Sequence, residues 1–157
     1  MYQDDIPAEI TFENSIAIDT ETQGLLLQRD RLCLIQLSDG NGDAHLVQFS
    51  ANQYAAPNLK RQLNNPETLK IFHFARFDLA AIKAYLDIDC APVFCTRIAS
   101  RLTRTYTNKH GLKDICAELL GIELSKQQQQ SDWADTNLTD EQQKYAAADV
   151  LYLHQLM

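Results

Sequence analysis

The sequence predicts an α/β fold, a mixed β-sheet with helices packed on its faces. Three observations carry this. Short apolar, partly β-branched runs separated by turn residues fill the first half of the chain. From Arg76 onward the apolar residues recur mostly at helical spacing. With 157 residues and 45% hydrophobic composition, the chain can bury one well-packed core and is short for two, so residues 1–157 are expected to form a single domain.

The elements follow in order. Ser15 to Asp19 reads as a strand, Leu32 to Leu37 as a second, and Gly40-Asn41-Gly42 as the turn into a third, His45 to Phe49. Lys70 to Phe74 is a fourth. Phe77, Ala80, Ala81, Ala84 and Tyr85 then predict a helix over Arg76 to Leu86, with Asp78 in its first turn. A short strand is expected at Val93 to Cys95, and helices at Thr96 to Leu102 and at Leu112 to Leu120, the latter closed by Gly121. Gln127 to Gln130 reads as a polar connection. The last helix starts at Thr139, where Thr139 and Gln142 fit a capping box, and is expected to run to Met157 without a stop signal. That ending favours a chain that continues beyond Met157.

Composition narrows the function. A formal charge of −7, from 14 Lys and Arg against 21 Asp and Glu, argues against gripping long nucleic acid with a broad basic face. Bound divalent cations would offset part of that charge where a phosphodiester docks, so the balance favours short substrates. Cys33, Cys90, Cys95 and Cys116 form no Cys-x-x-Cys pair and read as free thiols rather than a zinc site. The N-terminus MYQDDIPAEI lacks a basic start and an apolar run, and no stretch approaches the roughly 18 apolar residues of a membrane span. A cytoplasmic protein with no membrane partner is expected.

Four carboxylates stand beside core-forming sequence: Asp19 and Glu21 in SIAIDTET, Asp78 in HFARFDLAA, and Asp149 in YAAADVLYL. An ionised side chain there is costly unless a cation compensates it. Asp19 and Glu21, two apart on a strand, project from one face of the sheet and can grip one cation. Tyr145 and Asp149, four apart on a helix, share a face. Oxygen-only ligation points to hard ions, Mg²⁺ or Mn²⁺. Two such ions, about 3.5–4 Å apart, suit in-line hydrolysis of a phosphodiester.

Over nearly its full length the chain also resembles the DEDDy 3′–5′ exonucleases of the ribonuclease D family. AIDTET, HFARFD and YAAADV carry the three motifs, and Lys144 stands where the histidine-type branch would place its His. DRLCLIQLS, RLTRTYTNKHGLKDICAELLG, SKQQQQSDW and YAAADVLYLHQL narrow the resemblance to the one-domain nanoRNases of the NrnC type. The resemblance implies a ribonuclease H-like mixed sheet flanked by helices, the DEDD exonuclease fold. It implies hydrolysis of short RNA, dinucleotides above all, to nucleoside 5′-monophosphates, by a ring-shaped homo-oligomer with two divalent cations. Asp19, Glu21, Asp78, Tyr145 and Asp149 would be catalytic, the four carboxylates holding the metals.

Substrate contacts are expected from Thr20, Gln23, Gly24 and Leu25, with a simple turn as the other reading of Gly24. His73 and Phe77 beside Asp78 are candidates too, and a satisfied core histidine is the alternative for His73. Arg101, Arg104 and Lys109, interleaved with Tyr106 and His110, form the one locally basic stretch, either a 5′-phosphate cap, offered within the chain or from a neighbouring subunit, or an intersubunit patch, or a solvated face. Rival functions are a general ribonuclease D-like exonuclease, trimming tRNA or acting on single-stranded DNA, and an inactive nucleic-acid-binding module.

Overall fold

The computed structural model describes residues 1–125 and 127–157; Lys126, inside SKQQQQSDW, lies outside the described residues. Strands β1 (Tyr2–Gln3), β2 (Ser15–Thr22), β3 (Leu32–Ser38), β4 (His45–Gln48), β5 (Leu69–Phe72) and β6 (Val93–Cys95) form one sheet in the order β1-β4-β3-β2-β5-β6. β2, β3 and β4 are an antiparallel meander; β1 adds in parallel to β4, β5 to β2, and β6 to β5. This is the mixed sheet that the sequence predicts. Among the described residues, no helix is long and apolar enough to cross a membrane.

Strand alternation decides which residue meets which helix. Ile16 and Ile18 of β2 join a core with Leu59 and Leu63 of α1 (Pro57–Leu63) and Ala81, Ile82 and Leu86 of α2 (Arg76–Leu86). Ala17 packs on the opposite face against Val150 of α5 (Asp140–Leu151). Continuing that period, Asp19 and Glu21 fall on the α5 face, and Thr20 falls on the α2 face. Gln36 of β3 is the register partner of Asp19 and shares its face. The β2–β3 register slips between Glu21 and Thr22, so the ladder is disturbed where the acidic residues end.

Several boundaries differ from the sequence reading, each for a physical reason. β2 runs on to Thr22 because β3 pairs with it through Leu32. β5 stops at Phe72, since Phe74 adopts a left-handed backbone with φ 70°. The helix expected over Leu112 to Leu120 is a short α4 (Leu112–Ile115) followed by a π-turn, Cys116–Leu120, which ends at Gly121 with φ 69°. α5 ends at Leu151 rather than running to the terminus, and a 3₁₀ turn follows over Leu153–Leu156. There Leu153 is buried and His154 Nε2 lies 3.1 Å from Ser15 Oγ, which ties the turn to the start of β2. The Thr139–Gln142 capping box forms, with Gln142 N donating to Thr139 Oγ1 at 3.2 Å and Thr139 N to Gln142 Oε1 at 2.9 Å.

Candidate active site

The C-terminal half of β2, the first turn of α2 and the C-terminal half of α5 converge on one half-open cavity of about 610 Å³. Asp19, Glu21, Asp78, Tyr145 and Asp149 all line it. Carboxylate oxygens of Asp19, Glu21 and Asp149 lie within 4.8 Å of one another. Asp78 stands outside that triplet, on the α2 side. It is 5% exposed, and its Oδ1 accepts a 2.7 Å hydrogen bond from Thr20 Oγ1. The alternation of β2 explains this: the residue between Asp19 and Glu21 faces the other helix, where it orients the fourth carboxylate.

Electrostatically the cluster is far from neutral comfort. Burial first, then the charges of Asp78, Asp149 and Glu21, raise the Asp19 carboxyl well above its usual range. Burial and the neighbouring Asp149 and Asp78 do the same to Glu21. Asp78 and Asp149 are also raised, chiefly by burial, although bonds from Thr20 and from Tyr145 respectively oppose the shift. Among the described residues no ion pair involves any of the four. Such a cluster, without an ion-pair partner among the described residues, calls for a cation, and oxygen donors alone suit hard divalent ones. Asp19, Glu21 and Asp149 would hold one ion, with Asp78 at hand for a second.

The sign of the pH effect follows. Each carboxyl binds protons more tightly folded than unfolded, so the metal-free protein loses stability as pH rises from the ordinary carboxylate range, about 4, toward neutrality. Thermal melts in chelator between pH 4 and 8 should show the melting temperature falling, and Mg²⁺ should remove most of the slope. A flat profile without metal would contradict the electrostatic picture.

Tyr145 packs beside Trp133, ring centroids 6.0 Å apart, in a small core with Cys33, Leu34, Leu46 and Ala146. Trp133, 2% exposed, closes the wall behind the phenol and comes from the SDW end of the polar connection. Burial and the adjacent Asp149, Glu21 and Asp19 charges push the Tyr145 hydroxyl far above its usual pKa, so it keeps its proton in the absence of cations.

Of the expected substrate contacts, Thr20, Leu25, His73 and Phe77 line the cavity, and Leu25 is 81% exposed over it. Burial and the nearby Arg97 lower His73 to about 4, so its ring is neutral, with Nδ1 2.9 Å from Thr96 Oγ1. Gln23 and Gly24 do not line the cavity. Gly24 has a packing role: a Cβ there would stand 2.4 Å from Asp30 Oδ2, the carboxylate that holds Leu26 N at 3.0 Å and thereby shapes the loop carrying Leu25.

The basic stretch needs correction. Arg101, Arg104 and Lys109 lie outside the cavity lining. The Arg104 guanidinium is buried and committed to Ser100 Oγ and the Lys109 carbonyl, both at 2.9 Å, and to Glu118. Desolvating a guanidinium that already has these partners leaves no free fork for phosphate. Among the described residues, the cations that line the cavity are Arg97 and Lys113, with the Arg97 guanidinium 4.2 Å from the centre of the Phe74 ring. Of the three, Arg104 is withdrawn because the turn there folds back on its own segment.

Residues 4–157 match the family model described as 3′-5′ exonuclease. The chain belongs to this exonuclease family. Within it, the structure is similar to Brucella melitensis NrnC bound to pGG, with TM-score 0.95 and 51% identity over 99% of this chain and 76% of that one. Brucella melitensis NrnC with bound Mg²⁺ gives 0.93 and 50% over the same shares. Escherichia coli RNase D superposes with TM-score 0.77 at 31% identity, covering 92% of this chain and 38% of the other. Ribonuclease D of Gluconacetobacter diazotrophicus is 32% identical over 90% of this chain, which spans 35% of that protein's length. The α/β DEDD exonuclease fold and the NrnC-type kinship expected from the motifs are thus shown.

Proposed function

We propose that this exonuclease-family chain is a metal-dependent 3′–5′ exoribonuclease acting on short oligoribonucleotides, dinucleotides foremost, and releasing nucleoside 5′-monophosphates. One observation carries the reading: four carboxylates without an ion-pair partner among the described residues meet a tyrosine that keeps its proton, in one cavity whose described lining includes the cations Arg97 and Lys113. Divalent ions bound there supply the chemistry, activating the attacking water and neutralising charge on the leaving oxygen.

The chain's own residues do the rest. Asp19, Glu21, Asp78 and Asp149 hold the ions in place, and Tyr145 aims its hydroxyl at the same point to orient water. Leu25 and Phe77 offer apolar surface to the terminal nucleotide, and Arg97 and Lys113 replace the expected Arg101, Arg104 and Lys109 as candidates for a 5′ phosphate. The cavity's volume is that of a small-molecule site rather than a long channel. A net charge of −7 leaves little means of holding nucleotides far from the cut. The pGG complex of the Brucella relative supports the same substrate size. Exposed Ile98 and Leu102 on α3 (Thr96–Thr103) support a homo-oligomer.

A length series of RNAs and single-stranded DNAs from two to about twenty nucleotides tests this, because affinity should not grow with phosphate count. Rates should peak at the 5′-phosphorylated RNA dinucleotide, and Arg97→Met or Lys113→Met should narrow its advantage over the unphosphorylated form. Rates that stay level or rise with length would favour a general ribonuclease D-like exonuclease.

A further inference from the structure

Gln36 sits at the middle of β3, fully buried, directly across the ladder from Asp19 and on the same face. Its Nε2 donates to Asp19 Oδ2 at 3.4 Å, and its Oε1 is buried with no hydrogen-bond partner among the described residues. We propose that Gln36 is a positioning residue, whose carboxamide fixes one oxygen of the Asp19 carboxylate and so leaves the other aimed at a divalent cation in the cavity. This inference rests on the metal-dependent reading of the site.

Three arguments support it. On packing grounds alone an amide is a poor choice here: Leu34, Ile35 and Leu37 fill the strand around it with apolar side chains, and a buried carbonyl oxygen without a partner is unfavourable. The residue therefore does something that a leucine would not. Its charge is also suited to the task. A lysine or arginine facing Asp19 would neutralise the carboxylate and compete with the cation, whereas an amide donates a hydrogen bond and contributes no charge. Finally, the same device occurs once more in the site, where the Thr20 hydroxyl donates to Asp78. Outer partners of this kind fix the orientation of ligating groups, and their loss weakens metal binding about 10- to 100-fold.

The test compares the intact protein with Gln36→Leu and Gln36→Met, both close to glutamine in volume. Mn²⁺ binding is measured by calorimetry, Mn²⁺ dependence by hydrolysis of a dinucleotide, and melting temperature in chelator. In whichever variant folds, Mn²⁺ affinity should drop about 10-fold or more, the hydrolysis half-saturation should shift in parallel, and saturating Mn²⁺ should restore most of the rate. The metal-free melting temperature should hold or rise. Unchanged Mn²⁺ affinity, with or without a lower melting temperature, would overturn the proposal and leave Gln36 as packing. If the wild-type protein itself bound no Mn²⁺, the metal-dependent reading would fall first, and calorimetry on wild type separates the two cases.

Discussion

Asp149→Asn is expected to cut hydrolysis by about 10³-fold or more while making the metal-free protein more resistant to heat. The two effects have one cause. Asp149 stands with Asp19 and Glu21 in a cluster whose oxygens lie within 4.8 Å, and among the described residues no basic side chain pairs with any of them. In the absence of metal, burial and then the neighbouring carboxylates penalise each ionised form, which raises the Asp149 and Glu21 carboxyls above their usual range. An asparagine keeps the shape and removes one charge, so folding improves; in a chain of this size each kcal/mol recovered raises the melting temperature by about 2–4 °C. The same change removes a ligand, and with it the means of holding a divalent ion. Asp19→Ala and Glu21→Ala should behave alike in activity. Paired melts in chelator and rates at saturating Mg²⁺ check the prediction, and near-wild-type turnover in any of the three would remove that residue from the site.

This coupling of instability to function explains which parts of the protein were readable in the sequence. Asp19 with Glu21 and Tyr145 with Asp149 are local pairs, set by strand and helix periods, so spacing alone placed each pair on one face. The strands of the central meander were legible for a similar reason, since apolar runs bounded by Gly40 and Gly42 leave few other arrangements. What the sequence hid depends on residues far apart. α1 escaped notice because its N-terminus has no capping side chain of its own; Asp5 supplies it, accepting from Asn58 N at 3.0 Å and Leu59 N at 2.8 Å. Gln36 and Thr20 acquire meaning only from register and from the helix that each face meets. Lys70, at the start of the fourth predicted strand, is fully buried and donates to the carbonyls of Asn65 and Ala91, pinning β5 to the segment before β6. Arg104 was drawn inward by Glu118 and Ser100, whereas Arg97 and Lys113, which flank that stretch four residues beyond Arg101 and Lys109, reach the cavity through the course of α3 and α4. Charge density along a chain says little about charge in space.

Tyr145→Phe should lower the rate about 10²-fold at saturating metal and leave metal affinity and stability nearly unchanged. The ring has a structural place, beside Trp133 at 6.0 Å and above Ala146 in a small buried cluster, and phenylalanine fills that place equally well. Only the hydroxyl is lost. Buried among Asp149, Glu21 and Asp19, that hydroxyl holds its proton far above the usual tyrosine range when no cation is present. A phenol that keeps its proton can donate one hydrogen bond and accept another, which suits fixing the position of a water against the scissile phosphorus. The loss should therefore appear in kcat, with KM for a dinucleotide little changed, because orienting the water matters in the transition state and not in substrate binding. A melting temperature within about 2–4 °C of wild type, the equivalent of one kcal/mol in a chain of this size, would show the packing intact. Full activity in the phenylalanine variant at saturating Mg²⁺ would reduce Tyr145 to a wall of the cavity. Loss of metal affinity in the same variant would mean instead that the hydroxyl, one turn from Asp149, serves the ion.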